Sequence, residues 1–302
     1  MREPQKYRLN LDASGKELKQ RGTPLFPCAA YCEDINCYVN GEVPTHWHPE
    51  IEMNYCPASS YSVLLQGQGL TIEPGDGIFI NSNVLHESKA TSSSYSPEVS
   101  FVFSPDLIAG ADENIVTQRY VRPLIQASAL PFLILRKSEP WMKQAADRIR
   151  EAYTRYEEEA FGWELNVRNL LSEVWMQIVV HEQAVITASQ KAVDEDSVRI
   201  KKMLDYIHGN YTAGITPQMI ASSANISERE CFRCFQKMIR ITPVGYLLKY
   251  RISVAADRLS STDEPVTSIA LSCGFGSPSY FAKEFSKFIG CTPSAYRKAN
   301  SG

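Results

Sequence analysis

The sequence predicts a multidomain chain with an N-terminal β-barrel or jelly roll, a helical segment in the middle, and a C-terminal all-α domain built as a tandem helix-turn-helix. Three observations carry this. Short apolar runs broken by turn signals fill residues 25–135, two helical patterns follow over 140–185, and the last hundred residues contain a duplication. A chain of 302 residues is long enough for more than one core. The boundaries fall at 1–137 for the barrel, 138–186 for the helical segment, 187–197 for a linker and 198–302 for the C-terminal domain.

The β region is read from Ser62-Val-Leu-Leu65, Gly69-Leu-Thr-Ile72, Gly77-Ile-Phe-Ile80 and Val99-Ser-Phe-Val-Phe103. Between them stand turn formers such as Pro74-Gly-Asp-Gly77 and Asn81-Ser-Asn83. Many short strands at this spacing make a small barrel or jelly roll. In the middle segment, Trp141, Ala145, Ile149 and Tyr153 recur at helical spacing. A second helix carries Leu165, Val167, Leu170, Leu171, Val174, Trp175, Ile178 and Val179. That is more apolar surface than packing on a barrel requires, so a homodimer contact is expected here. The polar stretch Thr187 to Ser197 has no periodicity and reads as the linker.

The C-terminal duplication pairs Phe235-Gln-Lys-Met-Ile-Arg-Ile-Thr-Pro-Val-Gly-Tyr246 with Phe285-Ser-Lys-Phe-Ile-Gly-Cys-Thr-Pro-Ser-Ala-Tyr296, and Ile220-Ala221 with Ile269-Ala270. Each copy predicts a short helix, a tight turn and a second helix. The turns fall at Asn225 and Gly274. Ser227 with Glu230 forms a capping box, and Ser277 is followed by Pro278 at the first helical position. Cys231, Phe235, Phe281 and Phe285 are expected inside. Arg229, Phe232, Arg233 and Gln236 are left outward in the first copy, and Ser279, Tyr280, Ala282 and Lys283 in the second. A continuous helix of about 17 residues, roughly 26 Å long, joins the copies over 244–260. Such a strut suits two recognition helices placed about one DNA turn, near 34 Å, apart.

Charge separates the two ends. From Ser197 onward there are 14 Lys and Arg against 7 Asp and Glu, a net of +7, which leaves −10 for residues 1–196 in a chain of net −3. The basic part is the one suited to a polyanion. Basic side chains on the leading turns of the second helices suit phosphates or base edges of double-stranded DNA. The polar N-terminus has no apolar core of a secretory signal, and no run approaches 18 apolar residues, so a cytoplasmic protein with no membrane partner is expected. Eight cysteines fit that compartment as free thiols. Cys28, Cys32 and Cys37, and the lone Cys231-x-x-Cys234, lack the spacing of a zinc site.

In these residues the chain resembles the AraC/XylS family of bacterial transcription regulators. The matching positions run from Ile220-Ala221 through Ser227, Arg233 and Phe235 to Tyr246 and Arg251. They continue through Ile269-Ala270, Gly274-Phe275, Tyr280-Phe281 and Phe285 to Thr292-Pro293 and Tyr296. The resemblance implies that Arg229, Phe232 and Arg233, and then Pro278, Ser279 and Lys283, face DNA, and the outward face of the second helix in the first copy adds Gln236 as a DNA-binding candidate. It also implies a homodimer, an activator that works with RNA polymerase, and no required cofactor. Phe232 stands where a polar residue is common and suits a thymine methyl group. Arg240 replaces the glycine that the second copy keeps as Gly290.

The resemblance extends more loosely to an N-terminal cupin-like effector domain. His46-x-His48-x-x-x-Glu52 looks like the first cupin motif, and Pro74-Gly-Asp76 with Asn81 and His86 like the second. On a strand, His46, His48, Glu50 and Glu52 would share one face, and a neighbouring strand would bring His86 across. Two readings stay open. His46, His48, Glu50, Glu52 and His86 wall a pocket for a small-molecule effector, sugar-like or an organic acid. Alternatively, His46, His48, Glu52 and His86 hold Zn, Ni, Fe or Mn. The expected function is a ligand-responsive, sequence-specific DNA-binding regulator and not an enzyme. The alternatives are a metal or oxidant sensor on the same residues, or a metal-dependent cupin enzyme with Glu50 as its acid or base. His181 and His208, alone on helices, read as structural.

Overall fold

The computed structural model describes residues 9–11, 15–19, 21–23, 25–110, 114–189, 195–239 and 241–300. It divides into two compact units, one carrying the bulk of the chain up to Glu195 and one carrying the chain from Asp196 on.

The first unit is a two-sheet β structure with helices on one side. Its strands are β1 (Cys28–Asp34), β2 (Glu42–His46), β3 (Ile51–Tyr55), β4 (Tyr61–Leu65), β5 (Gln68–Ile72), β6 (Gly77–Ile80), β7 (His86–Ala90), β8 (Pro97–Phe103) and β9 (Phe132–Leu135). A five-stranded sheet runs β1-β8-β3-β6-β9 and a four-stranded one β2-β7-β4-β5, with antiparallel pairing throughout. The β4–β5 hairpin closes through Gln66 and Gly67, both at positive φ, the backbone that matches strand twist in a two-residue turn.

Alternation decides the faces of the larger sheet. Ile51 and Met53 of β3, with Phe79, Phe101 and Phe103, join the core under the helices. Glu52 and Asn54 point the other way, toward the second sheet. The helices are α1 (Asp106–Ala109), α2 (Arg122–Ile125), α3 (Pro140–Glu158), α4 (Trp163–His181) and α5 (Gln183–Ser189), with a π-helical turn at Thr117–Val121. Ala145, Ala146 and Ile149 of α3, and Leu171 and Trp175 of α4, fill the same core. The helical residues between Asp106 and Ile125 correct the reading of 25–135 as wholly β. They are too short to show a period, yet Leu107, Val121 and Leu124 anchor them in the core. His181 stacks on Trp141 at 4.2 Å.

The polar stretch read as a linker is helical at both ends, Thr187 to Ser189 in α5 and Glu195 to Ser197 in the next helix. Residues 190–194 lie outside the described residues.

The second unit is all helical: α6 (Glu195–Asn210), α7 (Pro217–Ser223), α8 (Glu228–Met238), α9 (Pro243–Ser261), α10 (Val266–Ser272), α11 (Pro278–Ile289) and α12 (Pro293–Asn300). Side-chain oxygens of Thr216, Ser227, Thr242 and Ser277 cap α7, α8, α9 and α11. The two copies of the repeat bury the same positions: Ile220 and Ala221 with Phe235 in one, Ile269 and Ala270 with Phe285 in the other. The turn residues Asn225 (φ 55°) and Gly274 (φ 83°) both adopt the left-handed region. The strut α9 buries Ile252, Ala255, Ala256 and Leu259 against the second copy. His208 stacks on Tyr250 at 4.0 Å and pairs with the Tyr246 hydroxyl at 2.8 Å. The change at Arg240 lies outside the described residues. No helix among them is long and apolar enough to cross a membrane.

Candidate functional site

The string Thr45 to Glu52 does not lie on one strand. β2 ends at His46 in the smaller sheet and β3 begins at Ile51 in the larger one, so His48 sits in the crossing between them. This corrects the single-face expectation. His46 pairs directly with His86 across β2 and β7, and Glu52 approaches from the opposite sheet. The four side chains still converge. Their ligand atoms lie within 4.8 Å of one another, and all four residues are buried. Glu50 is not part of the set. It stays in the bend, partly exposed, with its carboxylate 3.7 Å from the far ring nitrogen of His48.

The outer hydrogen bonds orient the rings. Nδ1–H of His46 donates to the Pro44 carbonyl at 2.8 Å, and that of His86 to Val84 at 2.9 Å. Nδ1 of His48 lies 3.2 Å from the Glu50 carbonyl. With Nδ1 protonated, the neutral ring carries its lone pair on Nε2. Nε2 of His48 lies 3.0 Å and Nε2 of His86 3.2 Å from the same oxygen, Oε2 of Glu52. The other oxygen of Glu52 is occupied by the Asn54 amide at 2.7 Å and the Ser100 hydroxyl at 3.0 Å. Lone pairs facing a carboxylate repel unless a cation or protons stand between them. Burial would push Glu52 up, but His86 and His48 outweigh it and hold its carboxyl well below the usual range. Burial would lower His86, but Glu52 raises it. Burial, then His86 and His48, push His46 well down. Backbone carbonyls at Nδ1 and a carboxylate held by its far oxygen are the kind of outer hydrogen bonds that orient metal ligands, so these four side chains could hold an ion.

His46, Glu52 and His86 line a cavity of about 150 Å³, whereas His48 and Glu50 lie outside its lining. Two groups of its lining were not anticipated from the sequence. Glu98 and Ser100 reach in from β8, and burial together with Glu52 raises the Glu98 carboxyl to about 7. Lys19 and Arg21 also line it, with their cations over the ring of Tyr31, the cross-strand partner of Ser100, 3.8 and 4.8 Å from its centre. The Arg21 side chain is 7% exposed, forms an ion pair with Glu17, and has no partner for its Nε–H. The alternation Glu98, Ser100, Val102 in β8 could have revealed the first group. Nothing local marks Lys19 or Arg21. Asp76 and Asn81 of the second motif have structural partners instead. Asp76 takes Arg136 at 2.7 Å, and Asn81 donates to the Leu124 carbonyl at 2.8 Å.

On the second unit, Arg229, Phe232, Arg233 and Gln236 emerge together on the exposed side of α8, while Cys231, Cys234 and Phe235 are buried. On α11, Ser279 and Lys283 are exposed and Pro278 is half-buried at the first position, over a core of Phe281 and Phe285. Arg233 is not idle. Its Nη2 lies 2.6 Å from both Asp196 and Glu230, its Nη1 3.3 Å from Asp196, and its Nε 2.9 Å from Glu230. Asp196 stands 37 residues away, so no helical spacing could have announced it.

Two capped helix-turn-helix modules on one strut, each with polar and basic side chains on its second helix, define a DNA-binding protein of the helix-turn-helix class. A profile described as a helix-turn-helix domain matches residues 220–299. The chain is 29% identical over 291 residues to the uncharacterized HTH-type transcriptional regulator YdeC of Bacillus subtilis, covering 96% of this chain and 98% of that one. It is 25% identical over 273 residues to the melibiose operon regulatory protein of Escherichia coli, covering 85% and 84%. It is 31% identical over 123 residues to the HTH-type transcriptional activator AarP of Providencia stuartii, covering 41% of this chain and 91% of AarP. Among solved structures it is similar to ToxT from Vibrio cholerae, 14% identical with a TM-score of 0.43, covering 91% and 98%. The chain belongs to the AraC/XylS family of transcription regulators.

Proposed function

We propose that this AraC-type regulator is ligand-responsive, that its first unit is the sensor, and that the effector is a small hydroxylated organic acid bound beside a divalent metal ion. The observation that carries the reading is the cavity lined by His46, His86 and Glu52 of the four-residue cluster together with the buried Arg21, whose guanidinium pairs with Glu17 and leaves its Nε–H without a partner. His46, His48, Glu52 and His86 would hold zinc, nickel, iron or manganese, and the ion would offer an oxygen ligand a Lewis-acidic anchor. Arg21 and Lys19 suit the carboxylate of the effector, and Glu98 and Ser100 its hydroxyl groups. The exposed Leu165, Met176 and Val180 of α4 supply the homodimer contact. AarP carries the name of an activator, and activation with RNA polymerase as partner in the cytoplasm is the mode proposed for this chain. The named relatives are regulators, and no enzymatic step is assigned to the metal.

The ligand must bind two states of the protein unequally to switch anything. The test is thermal denaturation of the full chain with each metal, then with the metal plus hydroxy acids, plain carboxylic acids or neutral sugars. The hydroxy acids are expected to raise the melting temperature most, and Arg21→Ala to abolish that gain. Equal shifts from neutral sugars, or an undiminished gain in the Arg21 variant, would exclude the acid. A change in DNA affinity on adding metal alone would make the chain a metal sensor. On the DNA side, Lys283→Ala is expected to flatten the salt dependence of duplex binding by about one unit of log–log slope, leaving the melting temperature unchanged.

A further inference from the structure

The reading face of α8 carries an internal competitor. A guanidinium offers five N–H groups, and bidentate recognition of guanine or phosphate needs one free forked edge. Arg233 presents one edge, Nη1 and Nη2, to Asp196 and the other, Nε and Nη2, to Glu230. Four of its five donors are spent, and neither fork is open. The same Asp196 carboxylate takes Lys237 of α8 at 2.6 Å and faces Arg199 of α6 at 3.8 Å. Glu230 also faces Arg199, at 3.6 Å. Asp196 is only 9% exposed at its side chain, whereas the Arg233 and Lys237 side chains are about half exposed. The carboxylate is therefore seated and the cations lie on the surface. As an acidic residue in the first turn of α6, Asp196 would be stabilised by the helix dipole without any of these partners. The three cations gathered on it go beyond that role.

We propose that Asp196 occupies the place of a DNA anion on the first recognition helix, so that DNA must displace it from Arg233 and Lys237 before that helix can read. Asp196 is also the residue at which the long C-terminal run of this unit begins. Unwinding the first turn of α6 removes the carboxylate and opens a fork on Arg233. This places a regulatory element in the helix that leads into the DNA-binding unit and not in the recognition helix itself.

The test measures the affinity of the full-length chain for a random-sequence 30-base-pair duplex across a range of salt, using Asp196→Asn, Glu230→Gln and Asp205→Asn. Asp205 is exposed on the same helix, and its substitution makes the same change in charge. Asp196→Asn is expected to tighten binding about tenfold at low salt and to steepen the salt slope by about 1–2, as Arg233 and Lys237 become available to phosphates. Asp205→Asn is expected to change affinity by less than about twofold. In an Arg233→Ala background the gain from Asp196→Asn should shrink to the Asp205 level. Weaker binding by Asp196→Asn would make Asp196 a support for Arg233 and overturn the proposal. A gain no larger than that of Asp205→Asn, or one that survives loss of Arg233, would reduce it to bulk charge and overturn it equally. Should Asp196→Asn lose its helical signal, Glu230→Gln decides, since it opens the other fork. Tighter binding supports competition and unchanged binding rejects it.

Discussion

Gly274→Ala is expected to destabilise the DNA-binding unit by about 3 kcal/mol and to abolish duplex binding at 37 °C. Two costs combine. Gly274 holds φ at 83°, where an L side chain is strained by about 1–2 kcal/mol. A Cβ there would also lie 2.6 Å from the Tyr211 carbonyl and 2.9 Å from both the Thr212 carbonyl and Nη2 of Arg251. These neighbours cannot retreat freely. Arg251 is itself tied to the Tyr211 and Ala213 carbonyls at 2.7 Å each. Calorimetry should show the transition of this unit falling by about 15 °C, given the size of the domain. The sister residue offers an internal control. Asn225 has a φ of 55°, so Asn225→Ala should cost only the backbone strain, about 1 kcal/mol. Equal losses at the two sites would show that the close packing around Gly274 contributes nothing.

Glu52→Gln is expected to keep the first unit folded and to lower its affinity for zinc or nickel at least about 100-fold. The amide oxygen still accepts from Asn54 and Ser100, and the amide N–H groups donate to the lone pairs of His48 and His86. The substitution therefore satisfies the hydrogen bonds of the site while removing the one carboxylate of the four-residue cluster. Metal content after dialysis, measured with chelator competition, separates this from unfolding. His48→Ala should lose metal similarly and leave a cavity. Binding of the random-sequence duplex should be unchanged in both variants. Wild-type metal content in Glu52→Gln would place any bound metal elsewhere.

The helical half was legible because its signals are local. Ser227 and Ser277 cap their helices within three residues, and the duplicated Phe235 and Phe285 mark the buried face at fixed spacing. Strands β4, β5, β6 and β8 could also be read, since each is a short apolar run between turns. The helical turns at Asp106–Ala109 and Arg122–Ile125 could not, because four residues carry no period and only tertiary packing holds them. Resemblance to the cupin motifs points to the four side chains that converge, but the single strand face offered beside it does not exist. The alternation that would put Glu50 on the same face requires a continuous strand where the chain in fact crosses between sheets.

Residue type and short-range pattern alone determined the longer helices, strands β4, β5, β6 and β8, where the modules repeat, and which side chains are candidates to bind a metal or DNA. Capping, periodicity and turn chemistry act over a few residues, so they survive in a linear string. Tertiary structure alone decided that Arg21 joins the lining of the cavity beside His46 and His86, that Glu50 stays out of it, and that Asp196 closes on Arg233. Each of those depends on charges and lone pairs brought within about 3 Å across tens of residues, where desolvation strengthens them, and no local pattern records such a meeting.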